Sequence, residues 1–144
     1  VEETAVRRFH EVAVCGGAFS ELLGGSVSFE ELLRHPIISL GAQTKSFELY
    51  SEFFVREGLS YQPETEAATA DQILPMVKAD LGIGFVPVEF LEGVTGVSVI
   101  KTEKPLPLRE IRIVKRHDQA LSVAAKELER LIGAHEGLTK AYHP

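Results

Sequence analysis

Residues 64–87 read ETEAATADQILPMVKADLGIGFVP, and this stretch decides the fold. Residues 64–67 have strand character. Thr69, Ala70, Asp71 and Gln72 then follow in capping-box order: a threonine hydroxyl takes an exposed helix amide and the side chain three places on reaches back. The predicted helix runs to about Ala79, with Ile73, Met76 and Val77, then Leu81, on its apolar side. Pro75 fits only near its first turn, because proline lacks an amide proton and clashes with the preceding turn. Residues 81–86 read as a second strand, stopped by Pro87. Gly82 and Gly84 sit inside that strand and read as close-packing positions. Strand, helix and strand in this order are the unit of an α/β sheet.

The alternation continues outward on both sides. Residues 9–14 alternate as a strand that Gly16 and Gly17 end. Ser28 and Glu31 form a first capping box, whose helix must be short because Pro36 keeps His35 out of helical geometry. Residues 37–40 read as a short buried strand. A helix over about 46–57 carries Phe47, Tyr50, Phe53 and Phe54 at three- and four-residue steps, which makes a core-facing stripe. Gly58 is its predicted left-handed stop. Downstream come a short helix around 89–91, strands over 97–100 and 111–114, and a last helix over about 122–131. Val123, Leu128 and Leu131 are its candidate core contacts. The whole order implies a parallel or mixed sheet with helices on its faces.

Composition narrows the function classes. The chain has 144 residues and a net charge of −6. Its basic pairs, Arg7-Arg8 and Lys115-Arg116, make no stripe for a phosphate backbone. Cys15 is the only cysteine, so no intrachain disulfide forms, and its apolar flank predicts a buried, inert thiol. No run approaches the ~20 apolar residues of a membrane-spanning helix. The start lacks both the order of a secretory signal and an initiator Met, which reads as a piece of a longer protein.

Enzyme motifs are missing. His10, His35, His117, His135 and His143 are scattered without metal-ligand spacing. There is no Gly-x-Ser-x-Gly elbow and no phosphate-binding Gly-x-x-x-x-Gly-Lys loop. No catalytic residue, metal ligand or cofactor is assigned, and the chain reads as a non-enzyme. In open α/β sheets ligands bind beyond the carboxyl ends of strands. Two loops meet that description, residues 41–46 and 67–70. Each leads into a helix whose first amides lack partners, which suits a carboxylate or phosphate.

Four segments, in order, resemble the effector-binding domain of LysR-type transcription regulators. They are FEELLRHPIISL at 29–40, EAATADQILPMVK at 66–78, LGIGFVP at 81–87 and LSVAA at 121–125. Asp80 departs from the pattern, standing where many members have Gly or Asn; Asp reaches the left-handed conformation at some cost. The resemblance implies a type 2 periplasmic-binding-protein-like fold of two Rossmann-like lobes with parallel or mixed sheets. On that pattern the chain is a partial effector-binding domain. Residues 37–108 would form a complete second lobe, and residues 1–36 and 109–144 remnants of the first. The winged helix-turn-helix of the family is not in the sequence.

The resemblance implies a small, often anionic effector held between lobes. It points to Gln43, Thr44, Lys45 and Ser46 from the first loop and to Ala68 and Thr69 from the second. Thr69 also reads as a plain helix cap and Lys45 as plain surface charge. The implied partners are the effector, further copies of the chain in a dimer or tetramer, and promoter DNA through a separate N-terminal domain. No membrane partner is implied, and the implied location is cytoplasmic. The alternative is a solute-binding protein of a transport system, which shares the fold.

Overall fold

The computed structural model describes residues 2–115 and 122–142. Arg116, His117, Leu121 and His143, named above, lie outside them, as do the side chains of Lys115 and His135. The chain divides into two compact units, one of Val1–Phe9 with Leu108–Pro144 and one of His10–Pro107.

The larger unit carries a mixed sheet. β2 (Glu11–Cys15) lies between β5 (Gly84–Pro87) and β6 (Ser98–Ile100), antiparallel to both. β3 (Ile38–Leu40) and β4 (Thr65–Ala67) pair in parallel. A parallel bridge between Ile37 and Ile83 joins the two sets, with the Ile38 amide donating to the Ile83 carbonyl at 2.8 Å. The strand expected over 81–86 is therefore a bridge at Ile83 followed by β5. Gly82 and Gly84 account for the close approach. A Cβ at Gly82 would stand 2.7 Å from the Pro36 carbonyl oxygen, and one at Gly84 2.7 Å from Ile73 Cγ2 and 2.8 Å from Val77 Cγ2.

Helices cover this sheet. α1 (Phe29–Leu32) starts at Ser28, whose hydroxyl accepts from the Glu31 amide at 3.1 Å. It is short, as Pro36 requires. α2 (Lys45–Arg56) buries Tyr50 and Phe54, with Phe47 and Phe53 packed beside them. Phe54 stacks on Tyr61 at 5.5 Å and meets Phe29 edge-on at 5.4 Å. Burying one such ring stabilises by roughly 1.5–3 kcal/mol, so the stripe is core. Gly58 follows α2 with φ +78, the left-handed stop its position predicts. α3 (Ile73–Lys78) buries Ile73 and Val77 against the other face, with Val14, Ile38, Ala67 and Val86.

Asp80 ends α3 with φ 59, and among the described residues it is the one non-glycine with positive φ. Its Oδ1 accepts from the Ala18 amide at 3.1 Å. That bond ties the α3–β5 turn to the 3-10 segment Gly17–Leu23 and helps offset the backbone strain.

In the smaller unit β1 (Glu2–Phe9) pairs antiparallel with β7 (Arg109–Lys115), with a register shift between Ala5 and Arg7. α4 (Val123–Tyr142) lies against β1. Three expectations change here. The strand predicted over 9–14 is two strands, broken at His10, because β1 and β2 have partners in different units. For the same reason residues 10–36 belong to the larger unit, although the resemblance put them with the first lobe's remnants. And Val123, Leu128 and Leu131 are not core: they are 86%, 59% and 51% exposed.

Candidate functional site

The parallel register sets Leu40 opposite Ala67. Both strands thus end at the same edge, and the loops that follow leave side by side. This arrangement follows from composition: Ile38 and Ala67 are buried in one apolar layer, and the small residues Gly41, Ala42 and Ala68 then lead into polar ones.

The first loop is a closed turn. Thr44 donates twice to the Gly41 carbonyl, from its amide at 2.9 Å and from its hydroxyl at 2.7 Å. The same hydroxyl oxygen accepts from the Phe47 amide at 3.1 Å, so Thr44 is the N-cap of α2. A hydroxyl has one proton to give. In this structure that proton is committed to Gly41, which leaves the Thr44 oxygen as an acceptor only. Lys45 and Ser46 fill the first two positions of α2, where a helix offers their amides no carbonyl. The Lys45 ammonium is nearly fully exposed and pairs with Glu48 at 3.2 Å, a contact worth little in water.

Gln43 folds back over Gly41. A Cβ at position 41 would stand 2.5 Å from Gln43 Oε1 and 2.5 Å from Glu66 Oε1. A Cβ there would displace these two flexible side-chain ends. Gln43 and Thr44 also line a shallow depression of about 420 Å³ on the flank of α2, with Ala42, Phe47, Glu48 and Ser51. Neither Ala68 nor Thr69 lines it.

The second loop corrects an expectation. Thr69 occupies the cap position in extended geometry, φ −141 and ψ 158, but its side chain makes no cap hydrogen bond. The predicted capping box does not form. Residues Ala70–Gln72 make a 3-10 turn before α3 begins, and the Gln72 carboxamide reaches past Thr69 to accept from the Ala68 amide at 3.0 Å. Thr69 is exposed and keeps its hydroxyl for other partners. Sequence reading gave Glu66 and Gln72 no part in the site. For Gln72 the signal was there, since it follows Ala68 by four residues, one helical turn.

Two buried titratable groups have shifted values. Cys15 is buried, and burial, with Glu21 and Asp80 nearby, holds its thiol above the ordinary value. That is the opposite of an activated nucleophile. Burial pushes Tyr61 up to about 12, with a hydrogen bond to Ser39 acting in the other direction. Among the described residues no group of three or more His, Cys, Asp and Glu is placed to hold a metal ion. No described helix is long and apolar enough to cross a membrane.

The family model for the LysR substrate binding domain matches residues 2–136. The chain belongs to the LysR substrate-binding domain family. Solved structures agree in fold. The regulatory domain of Synechocystis CcmR, in complex with 2-PG, has a TM-score of 0.81 at 13% identity, covering 94% of this chain and 66% of that one. The effector-binding domain of QuiR, in complex with shikimate, has a TM-score of 0.78 at 15% identity, with coverage of 94% and 65%. The effector-binding domain of a BenM variant gives 0.69 at 19%, with coverage of 94% and 66%. The chain thus spans just under two-thirds of these relatives' length. No match is found among curated proteins. The type 2 periplasmic-binding-protein-like fold expected from the sequence is the fold of this family.

Proposed function

We propose that this LysR substrate-binding domain chain is the ligand-sensing part of a cytoplasmic transcription regulator, not an enzyme, and that its larger unit is the second lobe of the sensing domain. Its ligand is a small, anionic metabolite. Gln43, Thr44, Lys45 and Ser46 contact it from one loop, Ala68 and Thr69 from the other. The observation that carries this reading is the pairing of Leu40 with Ala67, which starts both loops from one edge of a parallel sheet. The amides of Lys45 and Ser46, the Thr69 hydroxyl and the Gln43 carboxamide are the donors on offer. The complexes of CcmR with 2-PG and of QuiR with shikimate support a small-molecule ligand for this fold.

Ligand binding regulates by favouring one arrangement of the lobes over another, which requires a difference in affinity between them. The regulator acts as a dimer or tetramer, and DNA is gripped by a separate domain. The net charge of −6 fits that division of labour.

Calorimetry of the sensing domain with a panel of small carboxylic acids tests the proposal. One acid binds saturably, and Thr69→Ala weakens it about tenfold or more, the loss of one hydrogen bond to a charged group. Thr69 is the informative position, because its side chain caps nothing. Unchanged affinity in Thr69→Ala and in Lys45→Ala would show that the ligand sits elsewhere.

A further inference from the structure

Thr69 and Gln72 stand in capping-box order, yet the structure satisfies the same groups in another way. In a capping box the Thr69 hydroxyl oxygen accepts from the Gln72 amide, and the Gln72 carboxamide oxygen from the Thr69 amide. In the structure the Gln72 amide donates instead to the Thr69 carbonyl at 3.1 Å, and the carboxamide oxygen accepts from the Ala68 amide at 3.0 Å. Each bond differs by one short step, from one oxygen of Thr69 to the other and from one amide to its neighbour. Two hydrogen bonds stand in either arrangement, so their number favours neither. The backbone is already set for both. Thr69 is extended, as an N-cap is, and Gln72 is helical at φ −83 and ψ −18. Residues 68–72 are all exposed, while Ala67 and Ile73 on either side are 2% and 6% exposed. An exchange between the two arrangements therefore runs between fixed anchors and disturbs no core contact.

We infer that residues 68–72 form a two-state latch, in which the Gln72 carboxamide alternates between the Ala68 and Thr69 amides while the Thr69 hydroxyl is released or drawn onto the start of α3. The structure shows the open form, with Thr69 left to solvent. In the closed form the hydroxyl oxygen accepts from the Gln72 amide, and the 3-10 turn Ala70–Gln72, the poorer helical geometry, joins α3. Closure thus redirects the one hydroxyl of this loop with no change in the sheet beneath it. The latch goes beyond the ligand contacts proposed above and needs none of them.

Hydrogen exchange at the Ala68 amide of the 144-residue chain, read by NMR magnetisation transfer from water, decides it. Gln72 protects this amide in the open form and leaves it in the closed one, so its exchange rate follows the closed population. Thr69→Val cannot cap and suits the extended backbone; it slows exchange at Ala68 about fivefold, the population shift of one lost cap. Thr69→Asp, a stronger cap, speeds it. Gln72→Met removes the acceptor, so exchange at Ala68 becomes fast and responds to neither Thr69 substitution. Rates are compared after correction for the intrinsic exchange of each sequence. The Ile38 amide, bonded to the Ile83 carbonyl within the sheet, keeps its rate in every variant and shows that the fold is intact. Equal Ala68 rates in the wild type, Thr69→Val and Thr69→Asp would overturn the inference, and so would an undiminished response to these substitutions in the Gln72→Met background.

Discussion

The Gln72 carboxamide oxygen accepts from the Ala68 amide at 3.0 Å, across the residue that was expected to cap this turn. The two loop starts are therefore built differently. Thr44 holds the first with three hydrogen bonds, two of them through its hydroxyl. At the second the glutamine takes over, and Thr69 is left to solvent.

Stability should separate these two threonines. Thr44→Ala removes an N-cap and should cost about 1 kcal/mol. Thr69→Ala, at an exposed site without a cap bond, should stay within about 0.5 kcal/mol. Urea unfolding of both variants measures the difference.

Asp80 offers a second comparison. Asp80→Asn should be nearly neutral, since asparagine tolerates the left-handed region and can still accept from Ala18. Asp80→Val should lose about 2 kcal/mol or more, because a β-branched residue is strained at φ 59 and cannot accept that bond. Shifts in the unfolding midpoint at constant slope report it.

Glycine packing gives a third. Gly84→Ala places a methyl 2.7 Å from Ile73 and 2.8 Å from Val77, and should cost about 1–3 kcal/mol by overpacking. Gly17→Ala meets nothing within 4 Å and should change stability by well under half of that. Thermal unfolding of the pair tests the contrast.

Tyr61 links stability to high pH. Its folded value, about 12, stands above the ordinary 10.0. Below about pH 10 the phenol is neutral in both states, and its contribution is complete. As pH rises from 10 towards 12 the unfolded state loses the proton first, so stability falls by about 1.4 kcal/mol per unit. Tyr61→Phe should remove that part of the slope. A pH series of urea unfolding on both proteins checks it.

Much of this architecture was legible because it is local. Ser28 caps its helix as its spacing predicts, Gly58 and Asp80 take positive φ where helices stop, and the 47–54 stripe is core. What local patterns could not show was which partner a segment finds. His10 looks continuous with its neighbours, yet the chain changes units there. Gln72 accepts from the Ala68 amide, and a 3-10 turn stands where the helix start was expected. Val123, Leu128 and Leu131 have the spacing of a core face, but spacing does not supply a surface to cover it. The site was legible as two loops. Its finer wiring, Gln43 and Glu66 crowding Gly41, needed the register of β3 against β4.

The most direct test of the account is a backbone-amide NMR titration of the sensing domain with small carboxylic acids. The account predicts that a binding acid moves the amides of Lys45, Ser46, Ala68 and Thr69 together, at one saturating concentration. An acid that binds with 1:1 stoichiometry and leaves all four amides unmoved would contradict it.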